Sequence, residues 1–582
     1  MLSYDDLTPP ERALWDAFPE RRGVDLRTGV PEDDRVAGGG RWGEERTVRA
    51  AVLTALLQEA NPARPGAVAG LRLSGARITG ALDLADAQLA HSLWIEDCWF
   101  EEGVDLSGVS AQSIVVLGSR VPGLEAGIAR IEGRLDLRRS RFECGAVSPL
   151  HRKITALSLI NTQVGGVVNL GGAEVIAPGE WAVSAGGLVA EGGLYCLDGF
   201  TAQGGLRFMG AQFPGGLHMR GARVSHPGPG GVALALDNAV ASTLDFSDGF
   251  TADGTVRLRG ARIADDLTFA GAILNGPPTA TPVAAPPATA PPATAPPATA
   301  PLADVPPATA PLADVPPATA PLADVPPATA PLADAPPAPA SPARGPALAA
   351  TRMQAVDFDL TLARTPGGPV DLRGAQVSHL HDNDRSWPDS VELDGFGYGS
   401  ITTDDATGAR REASAQRDSA ARRVAWIRRG RGYSPQPYEQ LAGWYRTAGH
   451  DDDARRVLLA KQRHRRRTLP PAARVWGHLL DATVGYGYRP WLAGVWLLAL
   501  TALGSLAFDT HTPTPVKQGE GGRFQPFVYT LDLLIPIGGL GQRTAWYWDH
   551  DGLQALSYLL IAFGWILTTT LIAGVTRTLQ KN

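Results

Sequence analysis

The sequence predicts a mainly β protein, a β-solenoid followed by a helical hairpin and a two-helix transmembrane region. Three observations carry this reading. An apolar template recurs every 11 residues over 71–274, and two charge-free runs near the C-terminus are long enough to cross a bilayer. In addition, 67 Gly and 48 Pro among 582 residues exclude one compact all-helical domain. A hydrophobic content of 44% supports real cores and excludes disorder along the whole chain. Three cysteines, Cys98, Cys144 and Cys196, are too few and too odd a set for a disulfide scaffold, and fit a reducing compartment.

Residues 1–65 read as an N-terminal helical cap. The opening MLSYDDLTPPERALWDAFPERR is charged and lacks the apolar core of a secretory signal, so the cap and the solenoid are expected in the cytoplasm. GGGRWG at 38–43 satisfies G-x-G-x-x-G, and a helix is expected over 44–60. A dinucleotide site also needs a buried strand before the glycines and a parallel strand after the helix. PEDDRVA is no such strand, so the glycines read as a flexible lead-in.

Residues 66–275 form the predicted solenoid. The template L-x-L-x-x-A-x-I runs through Leu71, Leu73, Ala76, Ile78, then Leu82, Leu84, Ala87, Leu89, and returns after phase slips, as at Val256, Leu258, Ala261, Ile263. Alternation in L-x-L and A-x-I marks short strands with one buried face, and glycines supply the corners. An 11-residue helical repeat is the competing reading, but glycine at 66, 70, 75 and 80 would break such helices. Strands this short must stack on neighbours, and two templates, 22 residues, make one four-sided coil. Units of A-D/N-L-x-x show loosely in ALDLADAQL at 81–89, and in this the repeat resembles pentapeptide-repeat right-handed β-helices. Cys98 and Cys196 fall on inward positions and read as small core residues. Asp83, Asp105 and Asp136 fall on outward positions and read as a solvated face, with polysaccharide or cation binding the sharper alternative.

Residues 276–345 are Pro/Ala-rich, with PPATAPLADV at 296–305, 306–315 and 316–325, a composition that favours extended polyproline II over a packed core. VDLRGAQV at 370–377 echoes VRLRGARI at 256–263, so the tract reads as a long loop thrown out of the solenoid. Residues 346–400 hold the last solenoid strands, ending at VELDGF, 391–396.

Residues 401–489 are basic and helical. Over 410–489 there are 18 Lys and Arg against 7 Asp and Glu, net +11, in a chain whose overall charge is −6. Two helices are expected over 438–467, meeting at Ala448-Gly449-His450, with residues 451–453 capping the second. The pair looks like one tetratricopeptide-type unit, and a lone unit is expected to pack on the solenoid end. Arg463, Arg465, Arg466 and Arg467 beside the first span are expected to contact anionic lipid headgroups, at about 1 kcal/mol per basic side chain. Nucleic-acid binding is the other use of such a run, and the nearby bilayer disfavours it.

Residues 490–582 are expected to form a transmembrane hairpin. The runs 491–508 and 553–575 are free of charge, and about 20 residues cross a hydrocarbon core. A buried soluble helix suits shorter runs. Trp491, Trp546 and Trp548 fall near the expected interfaces. Basic residues flank the spans on one side, which puts both termini in the cytoplasm. The apolar segment 524–540 is too interrupted by Pro and Gly to cross, so it either lies at the outer interface or re-enters. Span, re-entrant segment, span is also a pore-loop plan, but TVGYG at 483–487 precedes the first span, where a filter must come after it.

WGEERTVRA (42–50), YEQLAGWYRTAGHDDDARRVLLAKQ (438–462), GYRPW (487–491) and PFVYTLDLLIPIGGLGQ (526–542) together resemble a family of bacterial two-span membrane proteins with a pentapeptide-repeat-like β-helix. Members are often automatically named membrane-associated oxidoreductase. The resemblance implies a bacterial inner-membrane location and, by name alone, redox chemistry; it brings no catalytic residue to any position here. From the residues, no catalytic, cofactor or metal constellation stands out. The densest candidate is HLHDND, with His379, His381, Asp382 and Asp384, expected in a loop near the solenoid end. The expected function is therefore a membrane-anchored binding or scaffolding module without cofactor, with oxidoreductase and channel-like readings as alternatives. A flavin band in the purified protein marks the first alternative, and ion conductance the second.

Overall fold

The computed structural model describes residues 3–144, 155–277, 345–404, 410–412, 418–489, 491–517, 523–536 and 539–579. The chain divides into two units, Met1–Pro278 with Gly345–Asn582, and Thr279–Arg344. The second, with most of the Pro/Ala-rich tract, lies outside the described residues.

Each L-x-L or A-x-I pair forms a strand of two to four residues whose template apolar residues point inward, as Leu71 and Leu73 in one and Ile78 in the next. The first complete coil contributes Leu71–Ser74, Arg77–Thr79, Leu82–Asp83 and Gln88–Leu89. Each strand pairs in parallel with its equivalent one coil later: Leu71 faces Leu93, Leu93 faces Ile114, and Leu82 faces Val104. That first register is 22 residues, two templates per coil. Repetition builds two large parallel sheets, an arrangement consistent with a β-solenoid. The coil broken at the Pro/Ala-rich tract resumes in register, with Val256 facing Leu348 and Leu348 facing Val370.

The inward residues line up as ladders that no single coil could hide from water. One runs Leu73, Ile95, Val116, then through Leu137, Leu170, Cys196, Met219, Phe246, Phe269 and Leu360, all buried. Burying each such side chain contributes about 1.5–3 kcal/mol. Phe246 stacks on Phe269 at 5.0 Å, and Phe269 meets Phe358 edge-on at 6.4 Å. Cys98 and Cys196 sit in this interior as expected. Burial pushes the Cys98 thiol up to about 12 and raises that of Cys196 further.

Corners explain the other repeated residues. One corner is left-handed in coil after coil, at Gly75, Asp97, Gly118, Arg139, Gly172 and Asp198. A Cβ at Gly118 would strike the Asp97 carboxylate of the coil before it. The outward aspartates at another corner bind their own chain. Asp83 Oδ1 accepts from Ala85 N at 3.0 Å and Asp105 Oδ1 from Ser107 N at 2.9 Å, so these carboxylates hold turns. Asp136 departs from the expected solvated face: it is buried under Arg138, which it binds at 2.8 Å through each carboxylate oxygen.

At the N-terminal end, helix α1 (Pro9–Ala17) and helix α2 (Ala50–Leu57) cover the first coil. The helix expected over 44–60 is shorter than predicted. Glu44–Arg46 is a 3-10 turn, and Thr47–Arg49 is a strand paired with Arg77–Thr79, because the open edge of the first coil offers backbone partners. GGGRWG is a close-packing site: a Cβ at Gly39 would strike Trp99.

At the C-terminal end the strands continue past the predicted last one. Gln376–Asn383 pairs with Gly397–Asp404 in a further coil. His379 to Asn383 of HLHDND therefore lie on a strand rather than in a loop, alternating between its faces, and Asp384 opens the 3-10 turn that follows. Then come helices α3 (Asp418–Ile427), α4 (Gln436–Thr447), α5 (Asp451–Arg466), α6 (Pro471–Val484), α7 (Trp491–Asp509), α8 (Pro526–Leu534), α9 (Gln542–Ala545) and α10 (Asp551–Leu579). Helices α7 and α10 are long and apolar enough to cross a membrane.

Candidate functional site

The joint between the strand stack and the apolar helices holds a buried ion pair, Asp382 with Arg423. The ladder through Phe269 and Leu360 reaches Asp382 in the next coil and Thr403 in the one after. Asp382 is 1% exposed and would be unstable there alone. Arg423 on α3 answers it with both guanidinium nitrogens, Nη1 to Oδ2 at 2.5 Å and Nη2 to Oδ1 at 2.8 Å. Trp387 Nε1 and Thr403 Oγ1 donate to the same carboxylate at 2.8 and 2.9 Å. Burial opposes the charge on Arg423, and Asp382 outweighs it, so the guanidinium pKa is raised. Trp426, one turn on from Arg423, packs on Trp387 at 4.7 Å.

Helix α4 docks on the last coil by its glutamines. Gln436 accepts from Gly395 N and donates to Phe396 O, and Gln440 Nε2 donates to Tyr398 O at 2.7 Å. These bonds satisfy backbone groups that one more coil would otherwise meet. Behind them Tyr438, Leu441 and Tyr445 of α4 are buried, with Val457 and Leu458 of α5. Gly449, left-handed, makes the break between the two helices at the place predicted.

The arginine run divides in two. Arg463 and Arg466 both bind Asp481 of α6, at 2.9 and 3.1 Å. Burial alone would raise the Asp481 carboxyl; the two guanidiniums outweigh it and hold it below its ordinary value. Arg465 and Arg467 are exposed. TVGYG closes α6, where Gly485 and Tyr486 both take left-handed backbone before α7 begins.

Between the apolar helices, α8 packs on both. A Cβ at Gly504 of α7 would strike Thr530, and one at Gly564 of α10 would strike the Leu534 carbonyl. Asp532, 1% exposed, accepts from Leu540 N and Arg543 N, each at 2.7 Å, and so ties the chain after α8 back against it. Trp548 is buried, stacked on Phe508 at 5.0 Å and bonded to the Tyr529 hydroxyl at 3.1 Å, whereas Trp491 is 62% exposed.

The HLHDND residues are not brought together. His379 meets Ser400 at 2.7 Å, His381 meets Asp359 at 3.3 Å, Asp382 serves Arg423, and Asp384 pairs with Arg422. Among the described residues no group of His, Cys, Asp and Glu has metal-binding geometry. Sequence reasoning names Asp382 only within HLHDND, does not pair it with Arg423 and does not single out Asp532; a polar residue at an inward ladder position is the signal that marks Asp382. Neither a family model, nor a curated protein, nor a solved structure matches this chain.

Proposed function

We propose that this chain is a membrane-anchored binding or scaffolding module: a right-handed, pentapeptide-repeat-like solenoid carried on the cytoplasmic face of a bacterial inner membrane by a two-span hairpin, α7 and α10. Supporting the orientation are the basic residues ahead of α7 and those of the sequence beyond the second apolar run, Arg577 and Lys581, and supporting the location is the resemblance to bacterial two-span proteins. One observation carries the scaffolding reading. The penultimate coil is joined to α3 by the buried Asp382–Arg423 pair and the last coil to α4 by Gln436 and Gln440, so the stack continues into the helices through fixed contacts. A rigid rod held at one end on a membrane presents its faces to partners at fixed distances from the surface. Exposed Arg465 and Arg467 then meet anionic headgroups, while Arg463 and Arg466 also pair with Asp481. The test is a pair of topology reporters. One fused after Asn582 reports cytoplasm, and one inserted at Thr512 reports the outside; an external signal at Asn582 overturns the proposal.

A second reading, a pore-loop membrane protein, is favoured by α8. Gly564, the contact of Leu534, lies 13 residues into α10, about 20 Å along its axis. A segment reaching that far between two spans re-enters the membrane, and its return is pinned on Asp532. Conductance of the purified protein in liposomes, together with a closed oligomer in detergent, supports this reading, and a monomer without conductance excludes it.

A further inference from the structure

We infer that the joint between α3, α5 and the start of α7 is a binding site for a phosphate group. A cavity of about 440 Å³ opens there. Arg428 of α3, Arg456 and Arg463 of α5, and Arg489 just ahead of α7 line it, over a floor that includes Val424 and Leu459, and no carboxylate is among its lining residues. Two of the four arginines are partly neutralised elsewhere, Arg456 by Asp453 at 2.8 Å and Arg463 by Asp481 at 2.9 Å. Neither Arg428 nor Arg489 has a carboxylate at ion-pair distance among the described residues. Four like charges around one hollow repel each other, and an anion among them removes that repulsion.

Phosphate suits the donors. A guanidinium offers a planar fork that matches two phosphate oxygens, and several forks around one concavity hold a tetrahedral dianion from different sides. The apolar floor has no use for a small inorganic ion alone, but it accepts the glycerol and first methylenes of a phospholipid. Arg489 lies two residues ahead of Trp491, where α7 begins. With the membrane placement proposed above, the cavity lies at headgroup level, and the phosphate is that of an anionic lipid; without that placement, the same arginines take a soluble phosphate ester. The site also joins α3, which holds the stack, to the entry of α7, so an occupant bridges both.

The full-length protein in neutral detergent, titrated by calorimetry with dioctanoyl phosphatidic acid and separately with inorganic phosphate, tests this. Saturable binding of the short lipid is expected, weakened at least tenfold by Arg428→Gln with Arg489→Gln and changed less than twofold by Arg130→Gln with Arg262→Gln, two exposed arginines of the solenoid. Competition by inorganic phosphate at equal concentration identifies a free phosphate as the source, and its failure to compete identifies the lipid headgroup; both support the site. No saturable binding of either probe, no loss in the first pair, or equal loss in both pairs overturns it. Should the glutamine pair fail to fold, Arg428→Lys carries the test, since it keeps the charge and loses the fork, and at least a threefold weakening is expected. Flotation with pure phosphatidylcholine vesicles reads the membrane placement separately, because neutral lipid engages α7 and α10 without the cavity.

Discussion

Replacing Arg423 by Met removes the counter-charge of Asp382 while leaving a side chain of similar length in its place. The Asp382 carboxylate keeps its bonds from Trp387 Nε1 and Thr403 Oγ1, but it is 1% exposed and has no second guanidinium in reach among the described residues. Breaking a buried pair from one side costs about 3–5 kcal/mol. Because Asp382 sits in the penultimate register of the stack, this cost falls on the strands Gln376–Asn383 and Gly397–Asp404 and on α3, and not on the coils near Leu71. Local opening should then become roughly two to four orders of magnitude more frequent, up to the limit set by global unfolding. Hydrogen–deuterium exchange of the detergent-purified chain measures this directly: peptides over 376–404 exchange faster, and peptides over 71–137 do not change. The double variant Asp382→Leu with Arg423→Met continues the ladder of Leu360 and Phe269 and should restore most of the protection. The remainder reflects about 1–3 kcal/mol from the Trp387 Nε1 left without its acceptor. Unchanged exchange over 376–404 in Arg423→Met, or a double variant no better than the single, refutes the reasoning.

Asp481 has a depressed pKa in the folded chain, so its contribution is complete above its unfolded pKa of about 4 and is lost as pH falls through the lower folded value. Protection of α5 and α6 should fall in that acid window, and Asp481→Asn should flatten the dependence. Gly564→Val drives a branched side chain into the Leu534 carbonyl and should destabilise the α8 packing by about 1–3 kcal/mol, read as a lower melting temperature with increased solvent quenching of Trp548. A thiol reagent at pH 8 should modify Cys144 alone in the folded chain, with Cys98 and Cys196 reacting only in denaturant, since both are fully buried and burial holds their thiols protonated; early modification of either contradicts the inward ladders.

Much of the fold is legible because the chain repeats itself. Any residue at a ladder position meets the same neighbours one coil on, so the 11-residue spacing of Leu71, Leu82 and Leu93 already contains the stacking, and the apolar lengths of α7 and α10 need no partner to be read. The break at Gly449 likewise comes from local backbone preference. The joint is different, because its meaning depends on residues far along the chain. Asp382 looks like one more polar residue of HLHDND until Arg423, 41 positions later, is laid over it. Arg463 to Arg467 look equivalent in a row; the helical phase of α5 against α6 separates the pair that binds Asp481 from the pair that faces outward. Strand parity alone makes Asp136 a solvated residue, yet Arg138 covers it. Periodic burial is written into the composition of each coil, whereas the pairing of isolated charges depends on which residues the folded chain lays over them, since burial makes an unpaired charge too costly to leave.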